Sequence, residues 1–324
     1  MRLAERPALR SLTGSDPATY AQHPLHAAAP AYPETNCYTD IIIELLHAAG
    51  HEPLAMLGHL VRMDFEGDQW TFFKPPPEDL ERLFAVDIHE MQPYRPLPAM
   101  IAEQLEVGRT IIVELDSFHL PDTASTSYRT EHVKSSVAAD AIDHDGERLW
   151  YFHNAGLFEL SGEDYRRALR LEPLHPDVLP PYTELVRLDA GEALRGETLR
   201  AAARETLARH LLRRPAANPF ARFGAQLERE LPALLEGGLE DFHAYAFATV
   251  RMAGAAFQLA AAHARWLLDA EGEPAAAAMD ELVAGCKAMS FRLARRAPFA
   301  TAPRIEKLAT AWDRAMAELA DHVI

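Results

Sequence analysis

Only two cysteines occur in the 324 residues, Cys37 and Cys286, far apart in sequence. That count gives no disulfide framework and no C-x-x-C metal site, so each is read as a free thiol in a reducing compartment. No run of about 18 apolar residues is present, which argues against a transmembrane helix. The first thirty residues carry Arg2, Glu5, Arg10 and Asp16 and lack the apolar stretch of a signal peptide. A cytoplasmic protein with no membrane partner is the expectation. Basic residues are also scarce: 32 Lys and Arg against 48 Asp and Glu give a formal charge of −16, so a nucleic-acid surface is not expected. Neither an internal repeat nor a low-complexity tract is found beyond Ala-rich helical stretches. Asp116, His119, His132 and His153 lie close in sequence, but no pair among them has His-x-x-x-His spacing or another strong ligand pattern, and no metal site is expected.

What the chain does contain changes character near residue 195. Before that point, short β-branched and aromatic runs alternate with prolines and turn signals; after it, Ala, Leu, Glu and Arg recur at helical spacing. Two domains are expected: an α+β domain over 1–195, with 1–30 as an N-terminal arm, and an α-helical bundle of about five helices over 196–324. A helix is predicted over 37–49, capped by Asn36 or Thr35, striped by Ile41, Ile42, Leu45 and Leu46, and stopped at Gly50. "PPPEDLERLFA" and "PLPAMIAEQLEVG" read as two more helices, and "TIIVELD" (Thr110 to Asp116) as a buried central strand. "HVKSSVAADAID" and "RLWYFHNAG" flank an Asp145-Gly146 turn and read as a hairpin. "SGEDYRRAL" is expected to be a helix capped by Ser161, and "PYTELVRLD" a last strand.

Cys37 stands in the first turn of its helix, where unpaired backbone N–H groups and the helix dipole stabilise a thiolate. A thiolate also needs a base, and the base needs a partner on its other ring nitrogen. Cys37, His132 and Asn154 supply nucleophile, base and orienter in chain order, with Asp140 and Asp143 as alternatives for the third role. The competing reading of Cys37 is a small buried hydrophobe, which also suits Cys286 beside Met289 and Phe291. Asp116, Asp122 and Tyr128 are candidates to hold an amine, and Lys134 to meet a phosphate or carboxylate; Asp122 also fits a turn cap and Lys134 a solvated strand edge. Phe220, Phe223, Phe242, Tyr245, Phe247 and Phe257 read mainly as core, with His243 or Arg251 as possible cleft residues.

The order Cys, His, Asn or Asp is that of papain-like folds. The segment from "ELDSFHLPDT" through "YRTEHVK" to "YFHNAG" resembles the papain-like acyltransferase family of butirosin biosynthesis over about residues 30–190. Over most of its length, the chain is also similar to an uncharacterised bacterial family held as a domain of unknown function, through "NCYTD", "DSFHLPDT", "YRTEHVK", "YFHNAG" and "FHAYAFATVR". The first resemblance implies a Cys that takes an acyl or aminoacyl group from the phosphopantetheine thioester of a carrier protein and passes it to an amine acceptor. On it, Cys37 is nucleophile, His132 base and Asn154 orienter, and no cofactor is implied beyond the donor's phosphopantetheine arm. The Gln that papain places upstream of its Cys has no counterpart, which leaves Asn36 or the Cys37 N–H as oxyanion donor. A carrier protein would need a basic landing patch, for which Arg166, Arg167, Arg170, Arg213, Arg214, Arg295 and Arg296 are the local candidates. A cysteine amidase or peptidase with the same residues, and a non-catalytic binding protein on the same frame, are the alternatives.

Overall fold

A computed structural model describes residues 9–171, 179–295 and 298–324. Arg296 and residues 1–8 of the expected N-terminal arm lie outside the described residues.

Residues up to 193 alternate helix and strand. A single turn, α1 (Pro24–Ala27), precedes α2 (Cys37–Ala48), and a 3-10 helix (Pro53–Arg62) leads to a ribbon of β1 (Phe65–Glu66) and β2 (Gln69–Trp70). Next come α3 (Pro77–Phe84), β3 (Asp87–Met91), α4 (Leu97–Glu106), β4 (Arg109–Asp116), β5 (Lys134–Asp143), β6 (Arg148–His153), β7 (Gly156–Ser161), α5 (Gly162–Ala168) and β8 (Thr183–Arg187). From there on the described chain is helical: α6 (Gly196–Leu211), α7 (Pro219–Glu236), α8 (Leu239–Ala246), α9 (Met252–Leu268), α10 (Glu273–Ala294) and α11 (Ala302–Val323). This is a mixed α+β protein with a helical C-terminal region.

The chain divides into two units that interleave in sequence. One holds the described residues of Met1–His23, Asp40–His51 and Phe84–Ala193; the other holds those of Pro24–Thr39, Glu52–Leu83 and Leu194–Ile324. The dividing line passes through α2, so Cys37 to Thr39 belong with the second unit and the remainder of the helix with the first.

In the first unit, six antiparallel strands run in the order β3-β8-β4-β5-β6-β7. β4 lies inside the sheet with Thr110 to Val113 and Leu115 buried, as its apolar run predicts. Alternation sends Ile111, Val113 and Leu115, Val137 and Ala139, Leu149 and Tyr151 to one face, where they pack with Leu97, Met100 and Ile101 of α4 and Tyr165 and Ala168 of α5. The β5–β6 register shifts between Ala139 and Ala141, which makes Asp140 a bulge. Its carbonyl accepts the Leu12 N–H at 2.8 Å, and its buried carboxyl accepts the Thr13 N–H and hydroxyl at 3.1 and 2.8 Å. Burial raises the Asp140 pKa against the pull of those hydrogen bonds.

The second unit is built on side-chain packing between helices. Trp70 sits against Phe65, Phe220 and Phe223, and Phe220 against Phe257, all buried. A π-turn at Phe247–Arg251 separates α8 from α9 and leaves Phe247 exposed. Three buried histidines line the packing of the 3-10 helix with α6 and α9. His59 Nδ1 donates to the Met56 carbonyl (2.9 Å), His263 Nδ1 to the Leu54 carbonyl (2.7 Å), and His210 Nε2 to Asp79 (2.6 Å). The other ring nitrogen of each is buried with no partner among the described residues.

Candidate active site

β4 ends at Asp116, and a loop of two short 3-10 turns, Ser117–His119 and Pro121–Thr123, carries the chain round to His132 just before β5. Ladder pairing of Lys134 with Asp116, and the Ser117 N–H bonded to the Val133 carbonyl at 2.9 Å, bring the two ends of that loop together. Asp116 Oδ2 lies 2.6 Å from His132 Nδ1, while its Oδ1 accepts the Phe118 N–H at 3.1 Å. An acceptor on Nδ1 places the proton there and leaves the Nε2 lone pair outward, the tautomer a general base requires. The imidazole is stacked on Phe118, ring centroids 4.4 Å apart and planes 10° from parallel, yet stays 71% exposed. Beside it, His119 has its pKa lowered, first by burial, with Asp116 opposing and Arg129 adding to the effect.

Asp116 therefore takes the role expected of Asn154, and the three predicted orienters are corrected. β5 begins at Lys134 and pairs Ala138 with Phe152, so the register carries Asn154 toward Ser136, about four residues or roughly 13 Å from His132. Asn154 instead occupies the tight β6–β7 turn at φ 46°, a conformation that asparagine tolerates better than most residues. Asp140 is held by Thr13, and Asp143 Oδ1 accepts the Gly146 N–H in the hairpin turn at 2.8 Å.

The residues proposed to bind substrate have protein partners of their own. Tyr128 donates to Asp164 (2.9 Å) and Lys134 to Glu114 (2.8 Å). Asp122 is buried, accepting from the Tyr151 hydroxyl and from His153 Nδ1 at 2.5 Å. Among the arginines suggested for a carrier protein, Arg166 pairs with Glu147, and Arg170 and Arg214 donate to the carbonyls of Leu179 and Leu211.

In the second unit, Cys37 is the first residue of α2 and is half-buried. Asn36 is the cap: its Oδ1 accepts the Thr39 N–H at 2.8 Å, and its Nδ2 donates to the Phe73 carbonyl at 3.0 Å. Asn36 therefore serves as the helix cap, with its amide oxygen and one amide hydrogen both held in protein hydrogen bonds. Lys74 lies over the Tyr38 ring at 3.8 Å. The strap leading to Cys37 is fixed by side chains from the helices. Lys287 reaches the Ala31 carbonyl (3.2 Å), Gln258 bonds both N–H and carbonyl of Tyr32 (2.9 Å each), and Arg251 donates to the carbonyls of Glu34 and Thr35 (2.9 and 3.4 Å). Sequence reading took Arg251 only as a cleft residue; its grip on a strap some 215 positions away has no local signal.

Among the described residues, no group of three or more His, Cys, Asp or Glu is arranged to hold a metal ion, and no helix is long and apolar enough to cross a membrane.

In comparisons with known proteins, residues 21–188 match the profile of the DUF1839 N-terminal domain and residues 196–321 that of the DUF1839 C-terminal domain. No curated protein matches the chain.

Proposed function

Since this chain belongs to the DUF1839 family, we propose from its own residues that it is a cysteine-dependent acyl or aminoacyl transferase on a papain-like frame. The observation that carries the reading is the Asp116–His132 pair, a base held in the correct tautomer with its reactive nitrogen outward. Cys37 supplies the nucleophile from a capped helix start, where backbone N–H groups favour the thiolate and can receive a developing oxyanion. The donor is a thioester on a carrier protein's phosphopantetheine arm. Cys37 sulfur attacks its carbonyl, the pantetheine thiol leaves with a proton, and an acyl-cysteine remains. An amine acceptor then attacks that thioester and His132 takes its proton; the amide departs and the Cys37 thiol is restored. Water in place of the amine gives the hydrolase.

Intact-mass and peptide mass spectrometry after incubation with acyl-loaded carrier protein, or with a small acyl-thioester analogue, tests the reading. An acyl adduct on Cys37, absent in Cys37→Ala and formed far more slowly in His132→Gln, is the expected result. Adduct without transfer to any amine marks a hydrolase. No adduct on a folded protein overturns the enzyme reading in favour of a binding protein.

A further inference from the structure

We propose that Ser135, His153 and Asp122 form a second nucleophilic centre, a serine site that takes up small acyl groups from activated esters or thioesters, independent of Cys37. Three side chains stand in series: Ser135 Oγ is 2.6 Å from His153 Nε2, and His153 Nδ1 is 2.5 Å from Asp122 Oδ2. Their hydrogens can be assigned. Burial and the neighbouring Asp122 raise the Tyr151 pKa, so its hydroxyl keeps its proton and donates it to Asp122 Oδ1. With Asp122 in the ordinary carboxylate form, both of its oxygens accept and His153 Nδ1 is the donor to Oδ2. His153 Nε2 then presents a lone pair, and the only hydrogen available to it in this contact is that of the Ser135 hydroxyl. The polarity runs from serine to imidazole to carboxylate, as nucleophilic activation of a serine requires.

The location adds to the argument. Strand alternation places Ser135 with Val137 and Ala139, and His153 with Leu149 and Tyr151, on the face of the sheet that is otherwise apolar core. A ring, a carboxylate and a hydroxyl on such a face cost desolvation that an aliphatic trio would avoid. A clamp for the 117–131 loop would need only the Asp122–Tyr151 bond. The three are also graded in depth: His153 is 1% exposed, whereas Ser135, second residue of β5 beside exposed Lys134, keeps 9%. The Ser135–His153 contact is itself buried, so the substrate must be a small acyl group on a good leaving group. In the step, Ser135 Oγ bonds to the carbonyl carbon and His153 Nε2 takes the hydroxyl proton. The bond to the leaving group then breaks as that proton passes to it, leaving an acyl-serine; water and the same histidine reverse the sequence.

The test uses the full-length Cys37→Ala protein with 4-nitrophenyl acetate and with a fluorophosphonate probe, followed by peptide mapping. An adduct on Ser135 is expected, lost in Ser135→Ala and slowed at least about 100-fold in His153→Gln and Asp122→Asn. Absence of any adduct on Ser135, or equal labelling in His153→Gln, overturns the proposal. Because the His153 and Asp122 variants can lose the fold, Ser135→Cys in the same background gives a second reading that leaves the relay in place. Its alkylation by iodoacetamide should persist to about pH 6, as for a thiolate paired with imidazolium. A cysteine there that is unreactive, or that titrates near the ordinary thiol value of about 8.5, also overturns it. Cys286 does not interfere, since burial pushes its thiol up to about 12.

Discussion

His59 and His263 should make the stability of this protein fall steeply on mild acidification. Both are buried; burial is the largest cause in lowering each pKa from 6.5 to about 4, opposed by the backbone carbonyls of Met56 and Leu54. His210 and His263 lower His59 and Asp79 raises it, while His210 lowers His263. In the unfolded chain both rings take up a proton near pH 6.5; in the folded chain they resist until about pH 4. Between those values the unfolded state binds more protons, so stability rises with pH and is lost as pH falls through the window. Each histidine contributes a slope of about 1.4 kcal/mol per pH unit there, hence about 2 kcal/mol between pH 6.5 and 5. Urea unfolding at pH 7, 6 and 5 measures it. Gln is the informative replacement because its amide still donates to the Met56 or Leu54 carbonyl. His59→Gln and His263→Gln should each remove roughly one such slope, and the double variant nearly both, less the coupling through His210. Wild type and double variant with parallel curves between pH 6.5 and 5 would refute the reasoning.

Four further expectations concern single side chains. Asp116→Asn should lower the rate of Cys37 acyl transfer by about 100-fold or more and shift its pH profile, because an amide no longer dictates the His132 tautomer; its denaturation midpoint should barely move, since His132 is largely exposed and the amide oxygen can still accept the Phe118 N–H. Arg251→Ala should cost about 1–2 kcal/mol, read in urea unfolding, by releasing the Glu34 and Thr35 carbonyls, and should slow Cys37 alkylation or acylation, whereas Arg251→Lys should recover only part of both. Gly254→Ala should destabilise by about 1–3 kcal/mol, since a methyl there would meet the buried Tyr32 ring 2.5 Å from Cζ; thermal melting reads it. Asp140→Asn should leave stability at pH 7 unchanged or raise it by about 1 kcal/mol, because it replaces a buried carboxyl of raised pKa while retaining an oxygen for Thr13, and the gain should vanish as acid protonates the wild-type group.

The parts legible in the sequence are those whose cause is local. Asn36 three residues before Thr39 and Gly50 past the apolar stripe delimit α2 without any tertiary information, and Asp145-Gly146 announces the β5–β6 turn. β3 escaped because "DIHEM" is an edge strand with exposed His89 and Glu90 and has no apolar run, and β7 because it abuts α5 without a turn between them. The break before α9 escaped since nothing in "AFATVRMAG" but its packing disfavours a continuous helix. Chemistry was misassigned where it depends on register. A hairpin running from His132 to Asn154 would set those two residues level, but the strand starts two residues later, and the ladder that matters is the one with β4, which brings Asp116 to His132 across the 117–131 loop. The same period of two that puts His132 and Lys134 on one face puts Ser135 and His153 on the other. Asp116, which caps the first 3-10 turn of the loop, and Asp122, within the second, therefore serve histidines on opposite faces of the sheet, and each histidine takes its tautomer from the carboxylate that reaches it.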